Sequence, residues 1–233
     1  GGELRHVHRK VYLPTYGLFD ELRYLARGDR VCAFDSRFGR SAMLLCEDLW
    51  HPSTSYIAAM DRALTLYVPS ASPIWGLERG ELPENAAYWQ RMNAVTAESW
   101  GMHLVYANRV GFEDGVGFWG GSEILGPSGE ILARGNYYEA DLIQAEINLA
   151  SVRRKRIAAP MLRDEDLDLT INELTRIRAC TASAPAPKAV AVADAPPVPR
   201  VAPVRKAAPA RPAARAKATQ RTTKTRATKT RKA

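Results

Sequence analysis

Residues 41–52, Ser-Ala-Met-Leu-Leu-Cys-Glu-Asp-Leu-Trp-His-Pro, carry an apolar strand-like run straight into a polar turn, with Cys46 at the junction. A side chain there is held by a regular element yet faces a loop, which is where a catalytic nucleophile works. A free cysteine alone is more often a small buried hydrophobe, so its surroundings decide. Upstream, residues 31–35 and 41–46 flank a Ser-Arg-Phe-Gly-Arg turn and read as a hairpin. Downstream, Pro-Ser-Thr at 52–54 starts a helix over 53–63, with Tyr56, Ile57 and Met60 on one face. A strand is expected over 64–69. A helix over 83–100 follows, opened by Pro83 and closed by Gly101, and then a strand over 103–107. Residues 121–126, 130–134 and 141–147 read as further strands, the first two joined by Pro-Ser-Gly. A strand over 7–13 precedes them all. This alternation of strands and helices, closing on a run of strands, argues for a layered α/β sandwich.

The 233 residues, 46% hydrophobic, are enough for a real core in one generous domain or two small ones. Charge is divided sharply along the chain. Residues 181–233 hold 13 Lys plus Arg against Asp194 alone, a net +12, while residues 1–180 hold 20 bases and 24 acids, a net −4. A basic overall balance therefore says nothing of nucleic-acid binding by the body. The tail, rich in Ala, Pro, Lys, Arg and Thr and without aromatics, is expected to be disordered, because it has too little apolar area to offset its ordering entropy. Cys32, Cys46 and Cys180 form no paired or metal-binding spacing, which suggests a reducing compartment and no metal. No run approaches the ~20 apolar residues of a membrane span, and a cytoplasmic protein without membrane contact is expected. The chain starts without Met and enters a strand-like segment almost at once, which suggests an absent N-terminal portion.

A thiol nucleophile needs a base for its proton and donors for the developing oxyanion. Lys10 lies on a strand-like segment just before Pro14 and is the first candidate donor, although by charge alone it reads as a solvated lysine. His51, five residues past Cys46, suggests a cysteine–histidine pair, but nearness in sequence is not geometry and it reads as a turn or capping residue. Residues 115–120 spell GxGxxG, yet a strand rather than a helix follows, so no dinucleotide site is expected. Cys32 reads as core and Cys180 as an exposed or half-exposed thiol.

Lys10 with Leu13-Pro14, Tyr16-Gly17 and Phe19-Asp20-Glu21, then residues 46–50, then Asn108-Arg109-Val110-Gly111 and Gly120-Gly121-Ser122, form a collinear series. This series resembles the nitrilase superfamily of carbon-nitrogen hydrolases over roughly residues 9–156, and most closely members reading Cys-Glu-Asp-Leu-Trp, including glutaminase domains of glutamine-dependent NAD synthetases. The resemblance implies an α-β-β-α sandwich, here partial. With the mild amphipathicity of residues 164–178 and the change of composition beyond Cys180, the chain divides into a hydrolase domain over 1–156, a helical or extended arm over 157–180 and the tail over 181–233. The resemblance further implies Cys46 as nucleophile, Lys10 and the backbone N–H of Glu47 as oxyanion donors, and Glu21 as the carboxylate that orients Lys10. Tyr16, Trp50, Ser72 and Arg79 are implied as substrate contacts. The family's general-base glutamate belongs to a segment upstream of the lysine. Glu3, seven residues before Lys10, reads as a surface residue instead.

The expected activity is hydrolysis of a small amide, in preference to a nitrile, through a cysteine acyl-enzyme without a cofactor, weakened here by loss of the base. A glutaminase supplying ammonia to NAD synthesis is the alternative. The resemblance also implies a homo-oligomer. A reading of another class makes the chain a polyanion binder acting through its tail, whose charge suits nonspecific phosphate contact.

Overall fold

The computed structural model of the chain describes residues 2–75 and 82–183. Three strands lie parallel at the centre of a six-stranded sheet: β2 (Gly39–Met43), β3 (Thr65–Ser70) and β4 (His103–Asn108). Antiparallel strands flank them, β1 (Phe34–Ser36) on one side and β7 (Glu123–Leu125) with β8 (Ile131–Arg134) on the other. Parallel neighbours need crossover helices. These are α3 (Pro52–Met60) between β2 and β3, and α4 (Glu84–Trp100) between β3 and β4. Both pack on one face of the sheet, where Leu66, Val68, Leu104 and Tyr106 join Ala58, Ala59, Trp89 and Ala97 in one buried cluster. Alternation along the strands sends Tyr67, Pro69 and Val105 to the opposite face, where they are only half-buried.

The hairpin expected around residues 36–40 is β1–β2, and Gly39 takes the positive φ of 93° that its turn requires. Helix α4 begins after Pro83 and stops at Gly101, which is left-handed at φ 53°. Gly101→Ala should therefore destabilise the fold by about 1–2 kcal/mol, the cost of a left-handed L-residue, and lower the thermal midpoint. The added Cβ would also meet Arg156 Cγ at 3.2 Å.

Two expected strands do not form. Residues 7–13 are extended but pair with no strand, because the N–H groups of Val11 and Tyr12 both donate to Asp48 Oδ1 at 2.9 Å. Residues 141–147 are irregular: the Asp141 carboxylate accepts from Asn136 N and Leu142 N, a local alternative to a ladder. Conversely, β5 (Val110–Glu113) and β6 (Val116–Trp119) form a separate hairpin, its tip Asp114-Gly115 at φ 49° and 81°. The GxGxxG run is this hairpin's second strand. A short helix, α1 (Glu21–Tyr24), follows the Pro14 loop, and α2 (Glu47–Trp50) follows Cys46.

Beyond β8, α5 (Leu149–Ala158), α6 (Met161–Asp164) and α7 (Leu167–Ser183) are helical. Helix α5 is anchored by the Arg156 guanidinium, which donates to the carbonyls of Ala63, Trp100 and Gly101. The chain divides into two units, Gly1–Ile177 and Arg178–Ala233; residues 178–183 of the second are described and end α7. The tail expected to be disordered from residue 181 instead continues α7 over residues 181–183, and the remainder of that expectation lies outside the described residues. Among the described residues, no helix is long and apolar enough to cross a membrane.

Candidate active site

Ligands in open α/β sheets sit at the carboxyl ends of the parallel strands. Here those ends bring together Cys46 after β2, Ser70 to Ser72 at the end of β3, and Asn108 at the end of β4. Cys46 sits at the abrupt turn from β2 into α2 with φ 46° and ψ −102°, a conformation that costs a non-glycine residue about 1–3 kcal/mol. It is pinned there by donation of its N–H to Pro69 O at 3.0 Å and by acceptance at its carbonyl from Leu49 N at 3.0 Å. Such strained strand-to-helix turns present a nucleophile clear of its own backbone. The Glu47 N–H, first in α2, has no acceptor among the described residues.

Burial pushes the Cys46 thiol up. The Ala71 N–H, the Lys10 ammonium and the Ser70 hydroxyl act against that rise, and the Glu47 carboxylate adds to it. Lys10 Nζ donates to both Glu21 oxygens at 2.8 and 2.7 Å, with both side chains largely buried. Glu21 therefore holds the ammonium in place from both oxygens and aims it. Tyr16 O–H donates to Glu47 Oε2 at 2.7 Å. Burial, followed by this carboxylate, pushes the Tyr16 phenol up, so it remains a donor.

Of the other predicted substrate contacts, Trp50 stacks on Tyr88 at 4.6 Å and meets Trp89 edge-on. Ser72 is buried, and its Oγ accepts from Asn85 Nδ2 and Trp89 Nε1, each at 3.0 Å. Its hydroxyl is thus built into the packing of α4. Arg79 lies outside the described residues. His51 stands at the N-cap position of α3 without a side-chain capping bond and stacks on Tyr12 at 3.5 Å, with its Nε2 3.9 Å from Glu47 Oε1. Cys32 is half-buried and Cys180 exposed. Among the described residues no group of three or more His, Cys, Asp or Glu side chains could hold a metal.

The residue missed by sequence reasoning is Asp48. Its side chain is fully buried, and each oxygen takes two donors: Val11 N and Tyr12 N on Oδ1, and Leu45 N and His8 Nε2 on Oδ2, all within 2.8–3.0 Å. One carboxylate thereby ties the segment that carries Lys10 to the turn that carries Cys46. Burial raises the Asp48 carboxyl, but His8 and the backbone donors outweigh it and hold it below the ordinary carboxylate range. Asn108 braces the other wall, accepting from Ser72 N at Oδ1 and donating from Nδ2 to Gly120 O, both at 2.9 Å. The acid following Cys46-Glu47 was the available signal for Asp48, because a buried carboxylate requires partners.

The carbon-nitrogen hydrolase family model matches residues 1–157. A glutamine-dependent NAD(+) synthetase from Acinetobacter baylyi is 31% identical over 164 residues, covering 69% of this chain and 29% of that protein. An N-carbamoylputrescine amidase from Arabidopsis thaliana is 26% identical over 172 residues, covering 70% and 57%. Among solved structures, a carbon-nitrogen hydrolase from Helicobacter pylori superposes with a TM-score of 0.68 at 28% identity, covering 74% of this chain and 62% of that one. A Nesterenkonia amidase from the nitrilase superfamily gives 0.56 at 25% identity, covering 71% and 55%. The chain spans under a third of the synthetase's length and 57% of the plant amidase's.

Proposed function

Because the chain belongs to the carbon-nitrogen hydrolase family, we propose that it carries the nucleophilic half of an amide-hydrolysing site, with Cys46 attacking the amide carbonyl. The Cys46 sulfur forms a bond to the carbonyl carbon, and the carbonyl oxygen becomes an oxyanion held by the Lys10 ammonium and the Glu47 N–H. Collapse breaks the carbon–nitrogen bond and leaves a thioester, and the departing ammonia or amine carries away the proton that the thiol gave up. Water then hydrolyses the thioester and restores the thiol. The observation that supports this most directly is the strained Cys46 turn facing a lysine that Glu21 grips with both oxygens. Tyr16 and Trp50 line the substrate side in this reading.

The described carboxylates of the site are already engaged, Glu21 by Lys10 and Glu47 by Tyr16, while Glu3 forms an exposed pair with Arg5. A thiol raised by burial with no free base nearby ionises poorly. The 233-residue chain by itself is therefore proposed to turn amides over only slowly. Rapid hydrolysis by the purified chain that Cys46→Ser abolishes would refute this.

The substrate class has two forms. A small amide or N-carbamoyl amide fits the amidase relative, and glutamine fits the synthetase relative. The polar Tyr16–Glu47 pair beside the thiol favours a substrate carrying an ammonium group, such as glutamine, over a simple amide. Steady-state rates of the purified protein on glutamine, simple amides and N-carbamoyl amides decide between them. Glutamine is expected to be preferred, and equal rates on unrelated amides would exclude the glutaminase form. For the tail, the net charge of +12 supports polyanion contact, which a gel shift with and without residues 181–233 at rising salt would read.

A further inference from the structure

Two buried hydroxyls beside Cys46 have no part in the chemistry above. Ser70, at the end of β3, and Tyr106, in β4, each bury the side-chain oxygen without a well-aligned hydrogen-bond partner among the described residues. The parallel register sets Val68 opposite Tyr106 and Ser70 opposite Asn108, so the two side chains belong to adjoining strands. The Ser70 hydroxyl comes within hydrogen-bonding reach of the Cys46 sulfur and also of the Tyr106 hydroxyl, yet closes an aligned bond to neither. The Tyr106 ring is packed against Trp89 at 4.7 Å and Trp119 at 6.0 Å, which keeps its hydroxyl on this spot. Buried polar groups are almost always satisfied, and an orphan pair calls for a reason. A protonated thiol is a weak acceptor, whereas an anion accepts roughly twice as strongly.

We propose that Tyr106 and Ser70 are positioning residues forming a buried donor chain, Tyr106 O–H to Ser70 Oγ and Ser70 O–H to Cys46 Sγ, which closes when Cys46 ionises. The inference rests on the assignment of Cys46 as nucleophile. The thiol proton leaves to a base or to water, while both hydroxyls keep their protons and only turn. The Ala71 N–H is a further donor to the same sulfur. Burial keeps the Tyr106 phenol protonated far above neutrality, so it can only donate at working pH. The other titratable groups facing the sulfur are Lys10 from the N-terminal segment, Tyr16 from the loop before α1 and Glu47 from α2, and Glu123 of β7 faces Tyr106. The two orphaned oxygens are thus the resting form of a site built for an anionic sulfur.

Iodoacetamide alkylation of the full 233-residue chain tests this across pH, scored on the Cys46 peptide by mass spectrometry because Cys32 and Cys180 also react. Ser70→Ala and Tyr106→Phe are each expected to raise the midpoint of Cys46 alkylation by about one pH unit, so the rate near neutrality falls about tenfold. Ser70→Thr, which keeps the hydroxyl, should restore the parent profile. A purely structural role would change the thermal midpoint and leave the alkylation midpoint in place. An unshifted profile in Tyr106→Phe overturns the proposal, and this near-isosteric variant decides alone should Ser70→Ala fail to fold. Alkylation needs no turnover. An amidase activity that survives Cys46→Ser would refute the nucleophile assignment separately.

Discussion

Asp48→Ala should destabilise the protein by about 3–5 kcal/mol, the usual cost of removing one partner from a buried charged network. The substitution strands the N–H groups of Val11, Tyr12 and Leu45 and leaves the buried His8 ring without its acceptor. Asp48→Asn keeps the volume, but its amide nitrogen would face donors on Oδ2's side, so a substantial loss is expected there too. Urea denaturation of parent and variant reads the difference. Its pH dependence follows from the sign of the shift. The folded-state carboxyl is held below its ordinary value, so the native state favours the ionised form. This contribution is complete above the unfolded value of about 3.9 and is lost as pH falls through the lower folded value. The gap between parent and Asp48→Ala should therefore be constant through the neutral range and narrow only in acid.

Lys10→Met should leave the fold largely intact but reduce acylation of Cys46 by about 10²–10³-fold, the effect of removing one oxyanion donor. An activated ester such as p-nitrophenyl acetate makes this measurable without a strong base, because its leaving group needs no proton. The acyl group is then read as added mass on the Cys46 peptide. Part of the loss comes before attack, since Lys10 also counters the burial-driven rise of the thiol. Varying pH separates the two contributions: a lost thiolate is recovered at high pH, and a lost oxyanion donor is not. Recovery of the full parent rate at high pH would show that Lys10 acts on the thiol alone.

The parts of the fold that could be read from sequence are those whose signals are local. Gly39 marks the β1–β2 turn, Pro83 and Gly101 bracket α4, and the apolar runs of β3 and β4 need no tertiary context. Asp114-Gly115 was also a local signal, a two-residue turn with positive φ at both positions, hidden by its overlap with the GxGxxG spelling. The failure over residues 7–13 has another origin. The alternation there is real, but the backbone donors are claimed by a carboxylate 36 and 37 residues away, which no periodicity reveals. The same holds within the site. The types Cys46, Lys10 and Glu21 were recognisable in order, whereas the role of Asp48 as their common anchor, the inward turn of Ser72 and the hydroxyls of Ser70 and Tyr106 exist only once β2, β3 and β4 stand side by side.

The anchoring of residues 7–13 by a side chain instead of a ladder separates two levels of cooperativity. The central strands share continuous backbone pairing and can open only together. The Lys10 segment is held by side chains, the Asp48 carboxylate, the His51 ring on Tyr12 and Glu21 on Lys10, with a backbone bond from Gly28 N to Lys10 O at 2.8 Å. Segments of this kind detach at a free energy well below that of global unfolding. Warming or mild denaturant would then release the lysine while the sheet and Cys46 remain in place, so that reactivity fades across a range where the sheet still reports a native protein.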